Sequence, residues 1–318
     1  MQPILEGSRS FDLPKAPAVG QPRNAGATVD PEIPVVGSAD RPYATVVTFN
    51  PHPQEFFTGR PKQLLTPPTE KASQLRAMGV EQLVLLPFDR ELADLSPQQF
   101  VEDILVRQLQ IRRVSVGEDF RFGRKRAGTA QDLQAIAAKF GIDTQIVPLY
   151  TDGVERISSS NIRNALQVGD LERANQLLGR PYAIAGAVET GQQLGRTIGF
   201  PTANLKIPPE KFLPRWGVYG VEVESPCLVG QGGSFARRGA LSGVMNIGCR
   251  PTVAGERPTV EVHLLDWSGD LYGKTLKVHL KTFLRPEQKF ESLDALKQQI
   301  TADCTAARSI LDTGAQSS

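Results

Sequence analysis

Residues 186–204, GAVETGQQLGRTIGFPTAN, hold the densest set of residue types able to handle a phosphate. Gly191, Gly195 and Gly199 recur every four residues. Glycine lets backbone N–H groups come close to phosphate oxygens. No GKS or GKT follows, so the segment is not a Walker A loop. Thr202 and Asn204 come next. On an extended segment, a hydroxyl and a carboxamide two residues apart point to the same side. Together they offer the oxygen ligands that a hard cation such as Mg²⁺ and its phosphates prefer. Ordinary turns use the same glycine spacing, so phosphate loop and plain turn both stay open.

Glu261 is the second candidate, within PTVEVHLLDW. Strand alternation sets Val260, Val262 and Leu264 on one face and Glu261 and His263 on the other. An acid at mid-strand can serve as a general base or simply face solvent. His263 and His279 read as structural polar residues. Asn246-Ile247-Gly248 and Arg250-Pro251-Thr252 read as a turn-rich segment just upstream.

A third group lies in the first half. Asn50-Pro51-His52-Pro53 directly follows a β-branched run, and Gly117-Glu118-Asp119-Phe120 follows another. In a parallel α/β sheet, ligands bind beyond the carboxyl ends of strands. Residues 112–126 carry six Lys/Arg against two acids, a field suited to phosphate. Ser158, Ser159, Ser160 and Arg163 open a helix, where orphan amides and hydroxyls bind anions or the serines merely cap.

The elements that must position these residues follow from pattern. Residues 44–49 (ATVVTF), 82–86, 113–117 and 144–147 are strand-like, and helices alternate with them at 67–79, 96–110 and 129–140. That alternation predicts a parallel sheet with covering helices. After Gly179-Arg180-Pro181 helical periodicity stops. Short strand-like runs at 183–189, 216–223, 241–247, 258–265 and 275–281 predict a small antiparallel barrel, with a last helix from Ser292. The predicted boundary is 1–179 against 180–318. Six of the 24 prolines lie within residues 14–42, which reads as a flexible insertion.

Composition limits the alternatives. A chain of 318 residues is long enough for two domains. The net charge of +2 supports neither a nucleic-acid nor an anionic-membrane partner. No apolar run approaches the roughly 20 residues of a membrane span, and the first residues lack a secretion pattern. Cys227, Cys249 and Cys304 form no CxxC, and His52, His263 and His279 form no shared motif. Zinc chemistry is therefore not expected, and the odd cysteine count fits a reducing cytoplasm.

Together these residues resemble the bacterial bifunctional riboflavin kinase/FMN adenylyltransferases, the FAD synthetases. The resemblance spans about residues 44–312 and rests on GRPYAIAGAV, GRTIGFPTAN, PRWGVYGVEV, GVMNIGCRPTV and VEVHLLDWSGDLYGKTLKV, in that order. It implies a Rossmann-like nucleotidyltransferase domain followed by a six-stranded antiparallel barrel with a terminal helix. It implies ATP as co-substrate, riboflavin and FMN as substrate and product, and Mg²⁺. Thr202 and Asn204 match the residues that hold Mg²⁺ and phosphates, Gly191, Gly195 and Gly199 the phosphate loop, and Glu261 the base acting on the ribityl 5′-hydroxyl. Phosphoryl transfer chiefly needs such positioning and charge neutralisation.

TFNPHP, VGEDFRFG and ISSSNIR resemble the family's nucleotidyltransferase motifs. By that match Asn50, His52, Gly117, Asp119, Phe120, Ser158, Ser159, Ser160 and Arg163 form an adenylyltransferase site. Asn50 stands where the family usually has Asp or Glu, and Ser160 where it usually has Thr. The family's first strand and its HxGH pair have no counterpart: residues 1–51 hold no histidine. MQPILEGSRS resembles the helix that follows that motif. The expectation is an intact riboflavin kinase beside an incomplete, impaired adenylyltransferase. A fully bifunctional enzyme, if the start is misplaced, and a non-catalytic flavin- or nucleotide-binding module are the alternatives.

Overall fold

The computed structural model of the protein describes residues 9–12, 41–153, 155–191, 194–228, 240–252 and 255–313. Of the proline-rich insertion, 14–42, residues 14–40 lie outside them. The chain forms two compact units, one of residues 1–62 and 68–149, the other of 63–67 and 150–318.

In the first unit, β2 (Thr45–Asn50) runs parallel to β3 (Gln82–Pro87), and β4 (Arg113–Gly117) runs parallel to β7 (Asp143–Val147). β5 (Arg121–Phe122) and β6 (Gly128–Thr129) make a short antiparallel pair between them in sequence. The expected single sheet is divided: among the described residues no ladder joins β2–β3 to β4–β7. Both pairs still feed one apolar core. Phe49, Val84, Val114 and Val116 pack against Phe100, Val101 and Ile104 of the helical stretch that begins at Pro97. That stretch starts sharply because Ser96 caps it: its Oγ accepts from the Gln99 N–H while Gln99 reaches back.

Arg9–Asp12 is a strand, β1, antiparallel to β3. This corrects the helix expected over 1–10 for its last two residues. The N–H and C=O groups along the outer edge of β3 need partners, and an adjacent extended segment supplies them.

The second unit is a closed barrel of β8 (Tyr182–Glu189), β9 (Ala203–Lys206), β10 (Gly217–Glu224), β11 (Ala240–Thr252), β12 (Gly255–Leu264) and β13 (Thr275–Pro286). The circular order is β10-β11-β12-β9-β8-β13, every pair antiparallel. Alternate residues fill it: Ile184, Tyr219, Val221, Met245, Val262 and Val278 are buried. Closure leaves no free edge.

One difference and one correction arise here. The compact units part at 149/150, whereas the pattern changes near 180. Helices Ser159–Val168 and Leu171–Leu178 set Leu166, Leu171, Ala174 and Leu177 into the barrel's core. The change of pattern at 180 therefore marks a change of secondary structure, while the packing boundary lies where an apolar face changes partner. Residues 63–67 also join this unit: buried Lys211 donates to the Leu65 carbonyl at 2.9 Å and lies over the Tyr182 ring at 4.4 Å. The correction concerns Asn246–Thr252, which continue β11 and are not a turn.

Helix Leu293–Thr313 covers one outer flank of the barrel through Cys304, Ala307 and Leu311 against Val218 and Val244. Its anchor is polar. Arg285 Nε and Nη2 reach the Asp303 carboxylate at 3.0 and 2.9 Å, and Gln299 Nε2 adds a contact at 2.9 Å. The Asp303 side chain is only 6% exposed. Asp303→Ala strands a largely buried guanidinium, so the expected loss is about 3–5 kcal/mol of stability, measured as a lowered urea midpoint.

Candidate active site on the outer face of the barrel

Four strands carry the site because their register lines up one transverse row. On β11 and β12, Asn246 lies opposite Glu261; on β12 and β9, Glu261 lies opposite Asn204; on β9 and β8, Asn204 lies opposite Glu189. Their neighbours Met245, Ile247, Val260 and Val262 point inward and are buried. Period 2 then turns Asn246 and Glu261 outward. Thr202 stands just before β9, and its hydroxyl donates to Glu261 Oε2 at 3.4 Å. At the end of the row Glu189 is tied to Lys206 at 2.8 Å, an ion pair whose carboxylate raises the lysine's pKa. The second acid of the row is thereby neutralised in place.

The glycines wrap this row. A Cβ on Gly191 would lie 2.2 Å from Asn204 Nδ2, and one on Gly195 would lie 2.3 Å from the Phe200 carbonyl oxygen and 3.2 Å from Thr202 Oγ1. Gly199 has φ +90°, a left-handed conformation that suits glycine. Gly191, Gly195, Thr202, Asn204 and Glu261 thus come together, while a Cβ on Gly199 would meet nothing within 4 Å. A cleft of about 650 Å³ reaches Thr202 from the side of the inward-facing Val262 and Leu264, with Arg196, Trp267, Asp270 and Tyr272 also lining it; Glu261 and Asn204 are not in its lining.

Gly191→Ala tests the closeness of this loop. The methyl must push the Asn204 carboxamide aside. Loss of one contact to a charged phosphate is worth about 1.5 kcal/mol, so if the loop seats a phosphate, KM for the phosphate-bearing substrate is expected to rise roughly tenfold and KM for a second substrate to stay within about twofold. Steady-state kinetics with each substrate varied measures both.

No group of three or more His, Cys, Asp or Glu side chains among the described residues forms a ligand cage. Thr202 and Asn204 do fit Mg²⁺ of another kind: neutral oxygen donors beside a carboxylate, with most of the cation's shell left to phosphates and water.

The residues matched to adenylyl transfer fall in both units. Asn50 ends β2, and its carbonyl accepts from the Phe88 N–H at 3.2 Å. His52 caps helix Pro53–Thr58, its Nδ1 accepting from the Gln54 N–H at 3.1 Å. Gly117 ends β4, and a Cβ there would sit 3.2 Å from Asp119 Oδ1. Phe120 stacks on Phe122 with centroids 5.5 Å apart. Ser158, Ser159, Ser160 and Arg163 belong to the second unit. Ser158 Oγ accepts from the Asn161 N–H at 3.2 Å, an N-cap, while Ser159 and Ser160 are exposed. Arg163 donates to the Ser159 and Gln63 carbonyls at 3.2 and 3.3 Å and lies over Phe212. Within the basic stretch 112–126, Arg113 is paired with Asp143 at 2.6 Å.

Sequence reasoning missed two features. Asn246 was legible only as part of a turn, because strand register alone sets it opposite Glu261. The other is a cluster at the carboxyl ends of β2 and β3: Phe88 meets Phe49, Phe56 and Phe57 edge-on at 5.3–5.8 Å. Phe57 is 69% exposed, an aromatic surface beyond strand ends. FNPHPQEFF held that signal in its phenylalanine spacing.

A carboxylate, a hydroxyl and carboxamides lie in one row beside a close glycine loop on a six-stranded barrel, an arrangement suited to a phosphate-handling transferase. Family comparison agrees in both halves. Residues 36–161 match the FAD synthetase family and residues 178–311 the riboflavin kinase family. The chain is 44% identical over 264 residues to the bifunctional riboflavin kinase/FMN adenylyltransferase of Escherichia coli K12, covering 83% of this chain and 81% of that protein. It is 38% identical to the protein of the same name from Bacillus subtilis, covering 81% and 79%. A crystal structure described as a macrolide-efflux protein from Streptococcus pneumoniae superposes with TM-score 0.72 at 33% identity over 83% of both chains. No helix among the described residues is long and apolar enough to cross a membrane. The chain belongs to the bifunctional riboflavin kinase/FMN adenylyltransferase family, and it is an enzyme with a riboflavin kinase domain.

Proposed function

We propose that the outer row of the barrel transfers the γ-phosphoryl group of ATP to the 5′-hydroxyl of riboflavin, giving FMN and ADP. The carrying observation is Thr202 Oγ1 at 3.4 Å from Glu261 Oε2, in a row that Asn204 and Asn246 extend on either side. Glu261 accepts the proton of the attacking hydroxyl as its oxygen forms the new P–O bond. The bond from the γ-phosphorus to the β,γ-bridging oxygen breaks, and ADP leaves. Thr202 and Asn204 seat the phosphates, and Gly191 and Gly195 bring backbone close above them. Mg²⁺, held by Thr202 and Asn204, would neutralise phosphate charge. The cleft beginning at Thr202 takes the nucleotide, because the substrate that carries phosphates must reach their seat. Riboflavin then approaches Glu261 from the Asn246 side.

The functional division follows the matched segments, with residues 180–318 as the kinase module and 1–179 as the adenylyltransferase-like module. We place the enzyme in the cytoplasm with small-molecule substrates and no nucleic-acid or membrane partner. Adenylyl transfer to FMN is impaired in this chain, since no HxGH pair is present to stabilise the ATP phosphates. The full bifunctional reading is favoured by the FAD synthetase match over 36–161. Chromatography after incubation with riboflavin and γ-labelled Mg-ATP tests the kinase reading: label in FMN is expected, and unlabelled riboflavin after prolonged incubation would overturn it.

A further inference from the structure

Beyond the residues assigned so far, the geometry points to His263 as a positioning residue that sets the Phe200–Asn204 segment against Glu261 through the Pro201 carbonyl. This inference rests on the kinase reading of the site.

The β12–β9 ladder is short: Glu261 pairs with Asn204 and Val262 with Ala203, and there it ends. Proline at 201 has no N–H to continue it. Its carbonyl still needs a donor, and His263 supplies one: Nδ1 lies 2.8 Å from Pro201 O. A carbonyl oxygen only accepts, so Nδ1 carries the hydrogen. Period 2 puts His263 on the same face of β12 as Glu261. The two neighbours on that face therefore hold consecutive residues of the facing segment, Glu261 the Thr202 hydroxyl and His263 the Pro201 carbonyl. The Phe200 ring closes edge-on over the imidazole, centroids 5.6 Å apart at 78°. Side-chain hydrogen bonding thus replaces the ladder where proline interrupts it. The peptide it immobilises joins Pro201 to Thr202, whose Oγ1 reaches the base.

Release of Pro201 frees Thr202 to leave the row without disturbing the buried core beneath. The loss belongs to the phosphate seat and the reacting geometry, not to the flavin side. His263→Phe keeps an aromatic ring for Phe200 and removes the donor. His263→Asn keeps a donor, because its Nδ2 takes the place of the imidazole Nδ1. Loss of one hydrogen bond of about 1–1.5 kcal/mol corresponds to a five- to tenfold effect.

Steady-state kinetics of the full chain is the test. His263→Phe is expected to lower kcat or raise KM for Mg-ATP by a combined five- to tenfold, with KM for riboflavin within about twofold, and His263→Asn to return kcat/KM for Mg-ATP to within about threefold of wild type. Wild-type kinetics in His263→Phe would overturn the assignment. So would equal losses in both variants that spread over both substrates and track a lowered melting temperature, the mark of a merely structural residue. If the wild-type chain forms no FMN at all, the kinase reading fails and this inference falls with it; an active wild type confines any failure to His263.

Discussion

Glu261→Gln is expected to lower kcat for riboflavin phosphorylation by about 10²–10⁴, the range of general acid–base catalysis. Glutamine keeps the size and shape of the side chain and can still accept from Thr202, so the row Asn204–Glu261–Asn246 keeps its spacing. What it loses is the capacity to take the hydroxyl proton. The side chain points away from the core that Val260 and Val262 fill, so folding is spared. KM values for both substrates stay within a few-fold, since the interaction removed acts in the transition state. Stopped assays of FMN formation, with circular dichroism as a check on fold, measure the effect. Turnover at the wild-type rate would remove Glu261 from the role of base.

The second large effect lies between the two reactions of one chain. With FMN and Mg-ATP, FAD formation is expected to be slower than in a family member that carries the HxGH pair by about 10⁴–10⁶. Each phosphate-stabilising donor is worth about 2.7–4 kcal/mol in the transition state by analogy with an oxyanion donor, and two together shift the rate by that factor. The residues that remain are partly engaged elsewhere: Arg163 holds two backbone carbonyls, and His52 Nδ1 caps a helix. FMN formation from riboflavin, assayed in the same tube, is expected to proceed normally. Rapid FAD formation would establish the bifunctional reading for this chain. An in-frame HxGH motif in the encoding DNA upstream of Met1 would also restore it.

Much of this was legible in one dimension. Apolar alternation in AIAGAV, VYGVEV, VEVHLL and LKVHL announced barrel strands, because a closed sheet with one filled interior enforces period 2. The glycine spacing and Thr202–Asn204 suggested the phosphate seat proposed above, since few residue types can let backbone approach a polyanion. The change of pattern at 180 and the packing boundary at 149/150 differ because composition reports local conformation. The helices before that point are ordinary amphipathic helices, and only packing reveals that their apolar faces serve the barrel.

The sequence by itself determined the strand periodicity, the glycine loop and the residue types available for phosphoryl transfer. All of these are properties of neighbours along the chain. Tertiary structure alone decided which residues face each other: Asn246 with Glu261, Glu261 with Asn204, and His263 with the Pro201 carbonyl across 62 positions. The physical reason is register. A slip of one residue between β11 and β12 would turn Asn246 away from Glu261 while leaving each strand's own pattern unchanged.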